Sequence, residues 1–296
     1  MISIQNVSKT YPTGIRANND ISFTVAHGEI VALVGPNGSG KTTLMQQMLG
    51  VLKIGEGKIL VDGKENNVQN IAYIPQMPAI YPALTVRESL LATAKYLGVP
   101  KRTAAERIDS VLERTGLAKN TKQPSYTLSG GQRKLLSFGC MLVQDAANLV
   151  MDEVTSMVDV VTKEHIWQLI LDEQRRGRAI LLSSHDISEV KKLCTKLVVL
   201  KNGRVIFSGN PQEVKDEFCR CTITVDDPER AASVLSQADR SYSSEGKELS
   251  IVTNDIAAML DVLHELTKSV AITSLNCEHP AFYEGMLAML NKKEGN

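Results

Sequence analysis

The stretch GPNGSGKT, residues 35–42, constrains this chain more than any other. It follows the apolar run EIVALV and precedes a helical pattern, which is the strand–loop–helix order required of a phosphate loop G-x-x-x-x-G-K-[ST]. Gly35, Gly38 and Gly40 let the backbone fold around a triphosphate, so that amides from about Asn37 to Thr42 point inward. Lys41 then reaches the β- and γ-phosphates, and the Thr42 hydroxyl is a ligand for Mg²⁺. Thr43 opens the helix that follows. Gly35, Pro36, Asn37, Gly38, Ser39, Gly40, Lys41, Thr42 and Thr43 together are the candidate loop for a nucleoside triphosphate with Mg²⁺.

An acid is needed to hold the metal. NLVMDE places Asp152 at the end of a buried-type strand, where parallel sheets put their ligand-binding groups. Glu153 is next, and is the candidate general base for an attacking water. A second cradle lies almost a hundred residues after the first. In LSGGQRKLLSF (128–138), Ser129, Gly130, Gly131 and Gln132 open a helix with bare backbone amides, a ready anion site.

The surrounding sequence sets these motifs in an α/β frame. Short strands ISI, ISFTV and EIVALV come first, followed by GKILVDG (57–63) and IAYI (71–74). Helical patterns then cover 85–97, about 101–115 and the segment opened by Ser129, and look like an inserted helical lobe. Beyond them strands and helices alternate: NLVM, helix 160–175, AILLS, a helix from Asp186, then KLVVL. Such alternation argues for a parallel sheet covered on both faces. KNGRVIFSG reads as a hairpin on Asn202-Gly203. Past Arg220 a small α+β unit is predicted, with strand TITV, helix 228–238, strand LSIVT, helix 255–267, strand AITSL and helix 280–291.

Charge supports the division. Residues 1–218 carry 26 basic and 21 acidic groups, and 219–296 carry 7 and 12. The formal net charge of zero gives no argument for a nucleic-acid partner. Five cysteines show no metal-ligand spacing and read as reduced thiols. No signal peptide is read at the start, and no apolar run approaches the ~20 residues that span a bilayer. A membrane role therefore requires a partner that does the crossing.

With these motifs in order, the sequence resembles the ATP-binding subunits of ABC transporters. The resemblance runs through most of 1–218, and LSGGQ matches the family signature without a mismatch. It implies a P-loop NTPase fold of the ABC ATPase kind, α/β, with an antiparallel β subdomain and a helical lobe at about 85–145. The small α+β C-terminal domain at 219–296 is then an accessory unit. It implies that Tyr11, 24 residues before Gly35, stacks on adenine. Gln76 in IPQ touches Mg²⁺ and the attacking water and senses the membrane partner. Ser156 and Asp159 match the loop after the acidic pair, and His185 in LLSSHD matches the histidine that contacts the γ-phosphate. It also answers why one chain carries two cradles: the phosphate loop of one subunit faces the signature of another, in a homodimer or heterodimer.

The sequence departs from the family pattern after Glu153. Val154 stands where a proline is usual, and Ser156-Met157-Val158-Asp159-Val160 replaces S-G-L-D-P. A tight path becomes one that packing must hold. The helical insert and the tail resemble drug- and polysaccharide-type exporter ATPases, which implies an ATP hydrolase at the inner face of the cell membrane, cytoplasmic and peripheral, bound to a membrane subunit. The alternatives are an importer ATPase with a ligand-sensing tail and a soluble ABC-type ATPase outside transport.

Overall fold

A computed structural model describes residues 1–65, 67–213, 219–237, 242–253 and 256–278. They form two compact units, one of Met1–Ser184 with Ser188–Pro211, the other of His185–Ile187 with the residues from Gln212 on.

The first unit is built on two sheets. Strands β1 (Ile2–Thr10), β2 (Arg16–Val25), β4 (Glu56–Val61) and β5 (Lys64–Glu65) form an antiparallel sheet in the order β2-β1-β4-β5. The second sheet contains β3 (Ile30–Val34), β6 (Ile71–Ile74), β7 (Asn148–Asp152), β8 (Ala179–Ser183), β9 (Lys196–Lys201) and β10 (Arg204–Gly209). Its order is β10-β9-β3-β8-β7-β6. All neighbours are parallel except the β9–β10 hairpin, which turns at Asn202-Gly203.

Every residue of β3, β7 and β8 is buried, which explains their unbroken apolar character: both faces of these strands are covered. One core joins the sheets, with Ile2, Ile4 and Ile21 from the first packing with Leu33 and Val198 from the second and Leu44 and Met45 from helix α1 (Lys41–Met48).

The helical lobe consists of α2 (Val86–Tyr96), α3 (Lys101–Arg114) and α4 (Gly130–Gln144). Two of these helices begin with reciprocal capping boxes, Thr85 with Glu88 and Ser129 with Gln132. Helices α5 (Val160–Arg175) and α6 (Ile187–Leu193) complete the α/β alternation.

The tail contains β11 (Cys219–Val225), α7 (Pro228–Gln237), β12 (Tyr242–Glu245), β13 (Glu248–Thr253), α8 (Ile256–Ser269) and β14 (Ile272–Glu278). This is a β-α-β-β-α-β unit whose antiparallel sheet runs β12-β13-β11-β14. Its core includes Ile223, Val225, Leu249, Ile251, Leu235 and Leu266.

Two features of the tail differ from the sequence reading. Strand β12 was not anticipated, because YSSE is polar and lies at the sheet edge, where no apolar alternation is required. The thiols also differ: Cys221 and Cys277 stand directly opposite in the β11–β14 ladder, 4.4 Å apart at Cα, and form a disulfide. Register, invisible in cysteine spacing, made that pair. The predicted helix 280–291 lies outside the described residues.

Candidate active site

Four neighbouring parallel strands, β3, β8, β7 and β6, end on the same edge of the central sheet. Their following loops carry the candidate residues, as the geometry of parallel sheets requires. The loop after β3 runs into α1 through Gly40, whose φ of 102° is closed to other residues. A Cβ there would also run into the Ala17 carbonyl and the Asn18 amide, and Asn18 Nδ2 donates to the Gly40 carbonyl at 3.1 Å. Gly38 takes φ 79°.

Lys41 Nζ donates to the carbonyls of Gly35 at 2.7 Å and Pro36 at 3.1 Å, which folds the amine over its own loop. Burial pushes its ammonium below the usual lysine value, while the carboxylates of Glu153 and Asp152 pull it back up. Tyr11 OH and Thr43 Oγ1 share a hydrogen bond of 3.1 Å, which sets the ring beside the first turn of α1.

Asp152 ends β7 and is buried. Its Oδ1 accepts from Ser183 Oγ at 2.5 Å, across the register pair Asp152–Ser183. The same serine serves Glu153, whose backbone N–H donates to Ser183 Oγ at 2.9 Å and to the Ser183 carbonyl at 3.3 Å. Glu153 itself has φ 45°, a left-handed conformation that costs a non-glycine residue about 1–3 kcal/mol and persists only where its surroundings hold it. Gln76, in the loop after β6, donates from Nε2 to Glu153 Oε2 at 2.8 Å. Lys41, Asp152, Glu153 and Gln76 are thus linked by hydrogen bonds and charge, while Thr42 lies exposed at the start of α1. His185, exposed beyond the end of β8, belongs to the second unit.

The signature forms the start of α4. Gln132 N–H donates to Ser129 Oγ at 3.2 Å, and Ser129 N–H to Gln132 Oε1 at 3.0 Å. Gly130 has open space where a side chain would be. At Gly131 a Cβ would meet the Thr162 hydroxyl at 2.7 Å, so glycine there permits α4 to approach α5 closely. Asp159 caps α5, accepting from Thr162 N–H at 2.9 Å and Thr162 Oγ1 at 2.7 Å, and these bonds hold its carboxyl below the usual range. Met157, in the position of the family's glycine, is 95% exposed and takes φ 59°.

The donor set fits a nucleotide-bound Mg²⁺. Among the described residues no cluster of three or more His, Cys, Asp or Glu could hold a metal unaided. Magnesium needs no such cage, because one carboxylate with phosphate and water oxygens satisfies it. Asp152 and the Thr42 hydroxyl supply hard oxygen donors of that kind, and Ser39 Oγ, buried in the loop without a partner, adds an unsatisfied polar group.

Two residues went unassigned in the sequence. Ser183 anchors both acids, and Lys134, buried on α4, donates from Nζ to the carbonyls of Gln76 and, at 3.3 Å, Glu153. Burial lowers the Lys134 ammonium, with Glu153 and Asp152 opposing. A lysine inside a signature helix carries no signal of its direction.

The family model for ABC transporters matches residues 18–156. The Nod factor export ATP-binding protein I of Rhizobium etli is 35% identical over 229 residues, 75% of this chain and 72% of that protein. Its counterpart in Ralstonia nicotianae is 29% identical over 99% of this chain and 94% of its own length, so that likeness includes the tail. Among solved structures, cbiO1 from Clostridium perfringens, part of the transporter complex cbiONQ, is 31% identical with a TM-score of 0.66, over 72% of this chain and 89% of that one. The phosphate loop, the acidic pair and the signature therefore stand on a P-loop ABC ATPase fold, and this chain belongs to the ATP-binding subunits of ABC transporters, ATP hydrolases coupled to transport.

Proposed function

We propose that this chain powers an exporter by hydrolysing Mg²⁺-ATP in a head-to-tail pair of ATP-binding subunits attached to a separate membrane subunit. The observation that carries the chemistry is the hydrogen-bonded set at the strand ends, in which Gln76 holds the Glu153 carboxylate beside Asp152 and Lys41. Lys41 leaves the loop carbonyls to bind the β- and γ-phosphates, and Tyr11 stacks on adenine. Thr42, Asp152 and Gln76 would hold Mg²⁺, which when bound neutralises charge across the phosphate oxygens. Glu153 orients the attacking water and accepts its proton, and His185 contacts the γ-phosphate. Ser129, Gly130, Gly131 and Gln132 cap the γ-phosphate of the nucleotide held by the partner subunit.

Export is favoured over import by the likeness to Nod factor export proteins along nearly the whole chain, tail included. The division at 1–218 and 219–296 belongs to this reading. So does peripheral attachment at the cytoplasmic face of the membrane: none of the described helices is long and apolar enough to cross it. A groove of about 460 Å³ between β6 and the helical lobe offers the docking place for a membrane subunit. Tyr81, 73% exposed, and Tyr96, 90% exposed, line it with Ile80 and Leu97.

The test is Glu153→Gln. It removes the base while keeping size and polarity, so turnover falls at least about 100-fold and ATP stays bound. Sedimentation with ATP then shows a trapped pair that disappears without nucleotide. Hydrolysis at the wild-type rate would assign the base elsewhere.

A further inference from the structure

We infer that Lys134 is a positioning residue that ties the signature helix to the general base. The inference rests on the proposed roles of Glu153 and of the signature. Lys134 lies in the second turn of α4, five residues after Ser129, with 6% of its surface exposed. Burying an ammonium is costly unless its donors are used. Here they go to two backbone carbonyls on two separate loops, that of Gln76 after β6 and that of Glu153 after β7. Those two residues already meet through their side chains, Gln76 Nε2 to Glu153 Oε2. The amine therefore closes a ring: signature helix, Gln76 backbone, Gln76 side chain, Glu153 side chain, Glu153 backbone.

The second observation is the backbone at Glu153. Its left-handed φ of 45° is held on the N–H side by Ser183 and on the carbonyl side by Lys134 at 3.3 Å and by the Ser156 N–H at 3.1 Å. The Ser156 bond closes only a local turn; without Lys134 that turn loses its tie to α4 and to the Gln76 carbonyl, and the Glu153 carboxylate leaves the place set by Gln76. Lys134 also joins two half-sites. Glu153 acts on the nucleotide of its own phosphate loop, whereas Ser129 and the amides behind it face the nucleotide of the partner. A shift of α4 when the signature engages is delivered through Lys134 to the base of the opposite site, so the lysine makes turnover at the two sites interdependent.

The experiment compares Lys134→Met, which keeps the aliphatic stem and removes the donors, with Lys134→Arg, which restores them, and with Glu153→Gln. Turnover, KM for ATP, affinity for a fluorescent ATP analogue and amide hydrogen exchange are measured for each. Misplacing a catalytic group by about 1 Å costs up to roughly 100-fold. Lys134→Met should therefore lose about 10- to 100-fold in kcat, with KM and analogue affinity within about twofold of wild type. Exchange should rise in 75–78 and 152–156 alone, and Lys134→Arg should recover most of the loss. Wild-type kcat in Lys134→Met overturns the inference. So does faster exchange throughout the lobe, or an arginine variant as slow as the methionine one, since either makes the residue a packing element. If Lys134→Met does not fold, Lys134→Leu, which is apolar and has no donor, is read by the same criteria. Wild-type turnover in Glu153→Gln would instead overturn the assignment of the base, a separate failure.

Discussion

The loop after β3 and the loop after β7 both turn sharply at the edge of one sheet, yet they obtain that turn by different means. In the first, the positive φ angles fall on Gly38 and Gly40. In the second they fall on Glu153 and Met157. Glycine adopts such angles without steric cost, so the first loop is shaped by its own residues. The second is shaped by its surroundings: Ser183 and Lys134 at Glu153, and the Asp159 cap of α5 just beyond Met157. A loop built of glycine does not depend on its anchors for its positive φ angles. One built of larger residues depends on every anchor it has, and this makes the two loops fail in different ways.

The largest effect is expected where the first loop is given a side chain. Gly40→Ala forces a residue into φ 102° and drives its Cβ into the Ala17 carbonyl, an immovable backbone atom. Strain and overlap together cost about 3 kcal/mol or more. The variant should melt well below wild type and bind ATP at least about 100-fold more weakly, as measured by thermal unfolding and nucleotide titration. Wild-type affinity would show that the loop tolerates what its geometry forbids.

The difference between the loops also explains what was legible in the sequence. Residue type in strand–loop–helix order makes the phosphate loop legible, and that loop gives Asp152 and Glu153 their reading, because an acidic pair after a strand is otherwise a solvated turn. Strands β6 and β8 are legible to the residue and α5 approximately, since apolar runs bounded by Pro75, Asp159 and the Gly177 turn leave little choice. The supports of the second loop were not legible. Ser183 was one serine in LLSSHD, and Lys134 one charge in an amphipathic helix. Both act through burial and cross-strand register, which exist only after folding. The Cys221–Cys277 pair escaped for the same reason, as did β12, whose pairing with β13 is set by the backbone and the Gly246 turn.

Removing an anchor should hurt the second loop less than a side chain hurts the first. Ser183→Ala deletes the hydroxyl that donates to Asp152 and accepts from the Glu153 N–H. A buried hydrogen bond to a charged group is worth about 1.5–3 kcal/mol. The Glu153 N–H keeps the Ser183 carbonyl, so the fold survives. Urea unfolding should show a loss in that range, and the Mg²⁺ concentration that half-saturates ATP hydrolysis should rise. An unchanged Mg²⁺ requirement would confine Ser183 to stability and detach it from the acidic pair.

The smallest effect should come from making the second loop resemble the first. Met157 has φ 59° and is 95% exposed, so its side chain contributes almost nothing to packing within the subunit while its backbone bears the left-handed penalty. That penalty is roughly 1–2 kcal/mol for a residue with a Cβ. Met157→Gly removes it, and gives back about 0.4–1 kcal/mol through the greater freedom of glycine in the unfolded chain. The balance is a gain of about 0–1.6 kcal/mol, centred on about 0.8 kcal/mol, which for a unit of this size raises the melting temperature by about 2–3 °C. Met157→Ala supplies the control, because alanine keeps the Cβ and with it the strain, and should melt as wild type does. If the glycine variant melts no higher than the alanine one, the loop is not strained at Met157 and the contrast with the phosphate loop narrows to Glu153. If glycine stabilises the subunit but also slows ATP hydrolysis, the exposed methionine has a role beyond the single chain, since nothing inside the subunit would be lost with it.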